Sequence, residues 1–199
     1  MHTRRGIFPG RGTVGTSWLR WVAPAGLATA FAAATVLFAP TASAETDYGN
    51  GCVLVPNDPA ATVAALRDRC SDVAQDQIFR DAPRGTVPTG TTNGVVTRPP
   101  VMRAVAPPFW IGKNFYTGPD GGRLMNRITA AGVEGFPANV YTAPSVFDGQ
   151  PVWALDYAPS ITPQILDEVR QITPGVWFGY SWWRGAFQTP LLLTFALTN

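Results

Sequence analysis

The most informative stretch of the chain is VWFGYSWW, residues 176–183, which carries bulky aromatic residues on both faces of a predicted β-strand. Successive side chains of a strand point to opposite sides, so Trp177 and Trp183 share one face, with two small residues between them. One of the two faces has to serve the core. The face with the two indoles would form a shallow trough for an apolar or aromatic ligand. Packing of this face against a helix is the alternative, because aromatic stripes often belong to a core.

Further strands are predicted around this one, over residues 109–199. β-Branched and aromatic runs alternate there with turn dipeptides, and Asp148-Gly149 is the strongest hairpin signal among them. One helix is predicted at residues 162–172, since Thr162 can cap it and its apolar residues recur at intervals of three and four. The sequence therefore predicts an α+β fold, in which six or seven strands form an antiparallel sheet or small barrel with one short packed helix.

The segment before this domain, residues 45–82, is predicted to be mainly helical and held by a disulfide. Asp58 can cap a helix that runs to the end of the segment with apolar residues on one face. Cys52 and Cys70 are the two cysteines of the chain. In an oxidising compartment such a pair predicts a disulfide, worth about 3 kcal/mol for a loop of this length. Residues 83–108 are rich in proline and are predicted to be a linker or a surface arm.

Residues 1–44 have the three parts of a secretory signal peptide. A basic stretch is followed by an uncharged apolar run over residues 22–38 and then by Ala42-Ser43-Ala44. Cleavage is predicted between Ala44 and Glu45, which would place the mature chain outside the cytoplasm. An uncleaved signal that stays as a membrane anchor is the alternative, because the apolar run is just long enough to span a bilayer. The export route, general or twin-arginine, stays open.

Removal of the signal changes the charge and the available chemistry. The precursor has 15 basic and 13 acidic residues, but four arginines leave with the signal, so 11 basic residues face 13 acidic ones and the net charge becomes −2. The basic residues are scattered, which argues against a nucleic-acid partner. The single histidine, His2, also leaves, and this excludes imidazole catalysis and imidazole metal ligation in the mature chain. Two sulfurs alone make a poor zinc site, so neither a metal nor a cofactor is predicted.

Polar residues within predicted apolar strands are the better candidates for a binding site. If the apolar faces point inward, Lys113, Asn126 and Asp156 are buried and need partners, which marks a ligand site or a structural ion pair. An ion pair between Lys113 and Asp156 is the structural interpretation, and surface positions for all three are a further alternative. The predicted ligand-binding residues are Trp177, Trp183, Tyr157, Asp156, Asn126 and Lys113.

Three functions stay open from the sequence. The leading hypothesis is a secreted or envelope-associated domain, without enzymatic activity, that binds a small apolar or aromatic ligand or an envelope component. The second is a histidine-independent hydrolase or isomerase in which Asp156 and Glu168 act as acid and base. The third is a protein-interaction module that docks a partner on an exposed aromatic face. A membrane contact is expected only through an uncleaved signal.

Three stretches of the β-rich part carry a resemblance. They are WIGKNF at residues 110–115, FDG at 147–149 leading to LDY at 155–157, and DEVR at 167–170 leading to PGVWFG at 174–179. In these stretches the chain resembles an uncharacterised group of mostly secreted actinobacterial proteins, and the resemblance implies no activity. The strand pattern is also weakly similar to lipocalin-type barrels, although their G-x-W order is absent because Trp110 precedes Gly112.

Overall fold

The computed structural model describes residues 44–128 and 131–199, and the predicted signal peptide up to residue 43 lies outside the described residues. The described chain is mostly antiparallel β-structure with a few helices. A small two-stranded ribbon comes first, formed by β1 (Thr46–Asp47) and β2 (Val53–Leu54). The helices are α1 (Pro59–Asp68), α2 (Asp72–Asp81) and α3 (Pro100–Val105).

Eight strands form a closed barrel, in which each strand is antiparallel to the next in sequence and the last strand pairs with the first. Closure pairs the backbone groups of every strand and removes the exposed edges of the sheet. The predicted β-rich α+β class is confirmed, with eight barrel strands where six or seven were predicted. The barrel strands are β3 (Gly90–Arg98), β4 (Gly112–Gly118), β5 (Gly121–Ile128), β6 (Val133–Pro144), β7 (Pro151–Asp156), β8 (Ile165–Thr173), β9 (Val176–Trp183) and β10 (Leu191–Thr198).

The predicted N-terminal helix is in fact two helices. Asp58 caps α1 as predicted, with its Oδ1 2.9 Å from the amide nitrogen of Ala61. The helix then breaks, and Ser71 starts α2 by accepting a hydrogen bond from the amide of Ala74. A serine before an acidic first turn is a helix start signal, which the continuous apolar spacing across the break concealed. Val73, predicted to lie on the apolar face, is consequently exposed.

The predicted disulfide between Cys52 and Cys70 is confirmed, and the two Cα atoms are 4.7 Å apart. The bond ties the segment around β2 to the end of α1. Both sulfur-bearing side chains are buried in the same apolar cluster as Leu66 and Ile78 of the two helices. The bridge therefore holds the ribbon against the helical pair.

The prediction of a helix at residues 162–172 is wrong, because Ile165–Thr173 form strand β8 of the barrel. Apolar residues at intervals of three and four mimic a helix here, yet the strand is buried on both faces. Its polar residues point alternately into and out of the barrel, and they are buried on both sides. Asp167, Glu168 and Arg170 are at most 4% exposed. A strand that is buried on both sides loses the alternating pattern that identifies an ordinary strand.

Residues 83–108, predicted to be a linker or arm, contain a barrel strand and a helix. β3 pairs with β4 on one side and with β10 on the other. Prolines flank this strand without interrupting its ladder, and the next helix, α3, begins at Pro100. Two glycines and an asparagine interrupt the threonines and valines of β3 and weaken its local signal for a strand. The two neighbouring strands supply the hydrogen bonds that determine its conformation.

The barrel wall separates two apolar cores, and β9 belongs to both. Trp177 points into the barrel, where it packs with residues such as Leu155. Phe178 and Tyr180 point outward and lie beneath the helices, where Phe79 of α2 contacts the Tyr180 ring at a centroid distance of 4.6 Å. The predicted division of this strand into two faces is therefore correct, and both faces are packed over most of the strand's length.

Candidate ligand-binding cavity

A cavity of about 320 Å³ occupies one end of the barrel interior. The connections β3–β4, β5–β6, β7–β8 and β9–β10 meet at this end, because alternate connections of an up-and-down barrel fall on the same side. We call it the open end and the opposite one the closed end. Helix α3 contributes part of the wall through Met102, Val105 and Ala106. Other apolar side chains of the wall are Val96, Phe109, Trp110, Ile165, Leu193 and Phe195.

Four polar side chains, Lys113, Asn126, Tyr157 and Asp167, meet in the barrel interior and line the cavity. We call them the polar cluster. Lys113 Nζ lies 2.9 Å from Asp167 Oδ2 and 3.0 Å from Asn126 Oδ1, and it also donates to the Tyr157 hydroxyl. The Tyr157 hydroxyl lies 3.1 Å from Asp167 Oδ2. Lys113 and Asp167 therefore form an ion pair in which both side chains are buried.

The barrel topology explains why these side chains meet. Lys113 on β4 and Asn126 on β5 are paired directly in the strand register. β4 and β8 lie opposite each other in the ring of eight strands, so the ion pair between Lys113 and Asp167 crosses the interior of the barrel. The polar cluster thus forms a floor between the cavity and the packed half of the barrel.

Asn126 is held in place by two groups near the open end. The indole nitrogen of Trp110 lies 2.9 Å from Asn126 Oδ1, and Asn126 Nδ2 lies 2.9 Å from the carbonyl oxygen of Phe136. Phe136 has a φ of 47°, in the left-handed region, at an irregularity of the β5–β6 register. A bulky residue in this region is strained, and a bulge redirects its side chain. Here the Phe136 side chain lines the cavity.

Burial shifts the titration of the polar cluster. Desolvation lowers the pKa of Lys113, and the nearby Asp167 carboxylate opposes this change. Desolvation raises the pKa of Tyr157, and the negative charge of Asp167 adds to the effect. The ammonium also lies over the Phe195 ring at 5.2 Å, a contact that favours its charged form. At neutral pH Tyr157 is therefore a neutral hydroxyl within the cluster.

The closed end is filled by two tryptophans. The indole nitrogen of Trp177 lies 2.8 Å from the carbonyl oxygen of Thr86, and that of Trp153 lies 3.2 Å from the carbonyl oxygen of Gly85. Both indoles are buried, and the segment just before β3 accepts their hydrogen bonds. The chain crosses this end of the barrel and helps to close it.

The six predicted ligand-binding residues divide into two groups. Lys113, Asn126 and Tyr157 lie together in the polar cluster and line the cavity. Trp177 is buried at the closed end, and Trp183 is 40% exposed; neither lines the cavity. Asp156 lies outside the barrel, where it accepts hydrogen bonds from Arg184 and Tyr141. The two indoles of β9 therefore do not form the predicted trough for a ligand.

The predicted ion pair between Lys113 and Asp156 is wrong, because Asp167 is the partner of Lys113 and Arg184 is the partner of Asp156. Desolvation acts to raise the pKa of Asp156, but hydrogen bonds from Arg184 and its other donors prevail and lower it. Val152 and Ala154, which share its face, point away from the barrel interior. The predicted alternation of side chains along β7 was correct. The face that points into the barrel, however, is the one that carries Tyr157, and Asp156 lies on the other face.

The carboxylates suggested as an acid and base pair do not line the cavity. Glu168 points outward from β8 and accepts hydrogen bonds from the Ser145 hydroxyl and the amide of Val146. Desolvation raises the pKa of Glu168, against the effect of these donors. Asp156 is held separately by Arg184. Each carboxylate is thus occupied by its own structural partners.

Sequence reasoning missed Asp167, Trp110 and Ser181 as residues of the cavity. Asp167 falls within the helix predicted at residues 162–172, so its burial was hidden. A signal was available in the inward set of β8, where Ile165, Asp167 and Val169 alternate with the other residues. Reading this segment as a strand would have predicted a second buried charge to balance Lys113.

No metal site or membrane-spanning helix is found in the described part of the chain. Within residues 44–128 and 131–199, no three His, Cys, Asp or Glu side chains are grouped so that they could hold a metal ion. Over the same residues, no helix has both the length and the apolar character needed to cross a bilayer.

Comparison with known proteins yields a likeness of fold. No protein-family model matches the chain, and no curated protein matches it. A solved structure, titled as a crystal structure of a protein from Thermomonospora curvata, is 18% identical in sequence with a TM-score of 0.48. The match covers 70% of this chain and 94% of that one. This likeness concerns the path of the chain and says nothing of an activity.

Proposed function

We propose that this protein is a small barrel domain that binds a small apolar ligand at its open end. The cavity carries the proposal: about 320 Å³ is left unfilled in a barrel whose other half is packed with aromatic side chains. Apolar walls with a few convergent polar groups are typical of a small-molecule site of this size.

The proposed place of action is outside the cytoplasm, either secreted or in the cell envelope. The bridge between Cys52 and Cys70 supports this, because disulfides persist in oxidising compartments. The predicted cleavage after Ala44 supports it from the sequence. The resemblance to a group of mostly secreted actinobacterial proteins stays a prediction that agrees with this location.

The connections around the open end support an apolar ligand taken from an envelope component. Phe109, Ile161 and Phe187 belong to three different connections and are 68%, 87% and 102% exposed. Large apolar side chains that are exposed together are typical of surfaces that meet lipids or other apolar partners. A ligand leaving a lipid phase would thus enter the cavity past apolar side chains.

Filling the cavity should abolish binding without unfolding the barrel. Val96 lines the cavity and is 5% exposed, so Val96→Phe places a ring inside it. Val73→Phe is the matched control, because Val73 is 79% exposed on α2, outside the barrel. We expect Val96→Phe to weaken the binding of decanol by at least about ten-fold, and Val73→Phe to leave it unchanged.

Native mass spectrometry measures this binding directly, and so does a change in tryptophan fluorescence, to which Trp110 in the cavity wall contributes. The volume of the cavity equals that of about ten water molecules in the liquid, so a probe with a single ten-carbon chain, such as decanol, is of suitable size. Circular dichroism checks that each variant is folded. The proposal fails if the wild-type protein binds no decanol, or if folded Val96→Phe binds it as well as Val73→Phe does.

A further inference from the structure

We infer that the cavity selects an apolar ligand whose polar end donates a hydrogen bond, an alcohol in preference to a carboxylic acid. This inference rests on the proposed function and names the chemical class of the ligand. Its basis is a count of the hydrogen-bond donors and acceptors that the polar cluster has already used. The count shows which kind of partner the cluster still lacks.

The donors of Lys113 are fully used within the polar cluster. An ammonium group has three hydrogens and no acceptor. The three partners of Lys113 Nζ are Asn126 Oδ1, Asp167 Oδ2 and the Tyr157 hydroxyl. No hydrogen of this ammonium is left for the carboxylate of a ligand.

The other donors of the polar cluster, and that of Trp110, are used as well. The two amide hydrogens of Asn126 go to the carbonyl of Phe136 and to the hydroxyl of Tyr157. The Tyr157 hydroxyl has Asp167 Oδ2 at 3.1 Å as its closest acceptor. The indole N–H of Trp110 is donated to Asn126 Oδ1. Each polar hydrogen on these side chains therefore already has an acceptor.

Acceptor capacity is what the cluster retains. Both hydrogen bonds to the Asp167 carboxylate go to Oδ2, and no donor among the described residues reaches Oδ1. Ser181 also lines the cavity, and its hydroxyl, which can accept or donate a hydrogen bond, has no partner among the described residues. Neither oxygen is among the fully buried side-chain atoms that lack a hydrogen-bond partner. Both are therefore accessible to a molecule in the cavity. A ligand that donates a hydrogen bond can satisfy Asp167 Oδ1.

Charge leads to the same ligand class. Lys113 and Asp167 neutralise each other, so the cluster offers no net positive charge to an anion. The carboxylate of a fatty acid would face the charged, unpaired oxygen of Asp167, and the polar cluster has no free hydrogen to offer it; the neutral Ser181 hydroxyl is a free donor nearby. An anion buried in this way is costly. A hydroxyl group brings no charge and donates the one hydrogen that is needed.

Three ligands of one chain length test the inference: decanol, its methyl ether and decanoic acid. At pH 7 the acid is ionised, and the ether accepts hydrogen bonds but cannot donate one. A hydrogen bond to a charged group corresponds to a factor of about ten or more in affinity. We expect decanol to bind at least about ten-fold more tightly than either of the other two.

Two variants locate the effect. Asp167→Asn replaces the free carboxylate oxygen by an amide, so we expect decanol to lose its preference of about ten-fold over the ether and the acid. Asp156→Asn is the matched control, because Asp156 pairs with Arg184 outside the cavity, and it should keep the wild-type order. If Asp167→Asn does not fold, Ser181→Ala serves instead. Because Oδ1 of Asp167 stays in place, Ser181→Ala should still prefer the alcohol over the ether.

The outcomes separate this inference from the proposed function. If the wild type binds the acid or the ether as tightly as the alcohol, the ligand class is wrong and the binding function stands. If none of the three binds, the proposed function itself is wrong. Retention of the alcohol preference by a folded Asp167→Asn variant would also overturn the assignment to Asp167.

Discussion

The two ends of the barrel are built from the same strands but are filled in opposite ways. At the closed end, Trp153 and Trp177 are buried and bonded to the segment before β3. At the open end, the same strand that supplies Trp177 supplies Ser181, and a cavity remains there. Side-chain size along one strand therefore determines which end of this small barrel is packed and which end holds a cavity.

Each end also has an ion pair, partly buried for Arg170 and Asp148 and fully buried for Lys113 and Asp167, and the two pairs differ in how many carboxylate oxygens are hydrogen-bonded. Near the closed end, Arg170 of β8 binds both oxygens of Asp148 in the β6–β7 connection, at 2.6 and 2.8 Å, and its third nitrogen donates to the carbonyl of Pro151. In the cavity, the partners of Asp167 use one of its oxygens. The first pair is structural, whereas the second retains a free acceptor at the cavity.

The largest loss of stability is expected from Lys113→Met, at the ion pair of the open end. The substitution leaves Asp167 as a buried charge without its partner, which costs about 3–5 kcal/mol. Combining it with Asp167→Leu removes the orphaned charge, so the double variant should recover much of the loss. Denaturant unfolding of the two variants measures this. A single variant as stable as the wild type would contradict the role of the ion pair as the floor of the cavity.

A smaller effect is expected at the closed end from Trp177→Phe. The change removes the hydrogen bond to the Thr86 carbonyl and part of a packed side chain, for a loss of about 1–3 kcal/mol in the free energy of unfolding. Trp183→Phe is the matched control at a 40% exposed position and should change stability by less than about 0.5 kcal/mol. Equal losses in the two variants would mean that the closed end is no better packed than its surroundings.

The smallest effect is expected from Asp148→Asn, and it depends on pH. The hydrogen bond from Arg170 is the main cause that lowers the pKa of Asp148 below its ordinary 3.8. A depressed folded-state pKa stabilises the fold above the unfolded-state pKa, and this contribution is lost as the pH falls through the folded-state value. Asparagine keeps one accepting oxygen, so the loss at neutral pH should be modest. Its melting temperature should lie below that of the wild type at pH 7, and the gap should narrow below about pH 4.

A gap that stays constant over this pH range would show that the Asp148 charge does not contribute. Glu168→Gln tests a carboxyl group on the same outer wall whose pKa is shifted in the opposite direction, because desolvation raises the pKa of Glu168. A raised pKa costs stability as the pH rises from the unfolded-state value through the folded-state one. The melting temperature of this variant should therefore decline less over that range than that of the wild type.

Part of the candidate site could be predicted from the sequence. Lys113 and Asn126 are polar residues in apolar strands, and local alternation was enough to place them inside. The same rule gave the wrong side of β7, because it placed Asp156 on the inward face, which in fact carries Tyr157. Asp167 could not be found in this way, because a strand buried on both faces has an apolar spacing that fits a helix. The prediction of the site therefore lacked the one carboxylate that gives the cavity its unused acceptor.

Local sequence determined the features that depend on neighbours along the chain. These include the Asp58 cap, the bridge between Cys52 and Cys70, and the two faces of residues 176–183. Tertiary structure alone decided that Lys113 pairs with Asp167, because β4 and β8 become opposite only when β10 closes on β3. It also decided which end of the barrel is filled. The physical reason is that closure of the barrel brings together side chains that are far apart in sequence. Periodic spacing along the chain predicts local structure but not which distant residues meet.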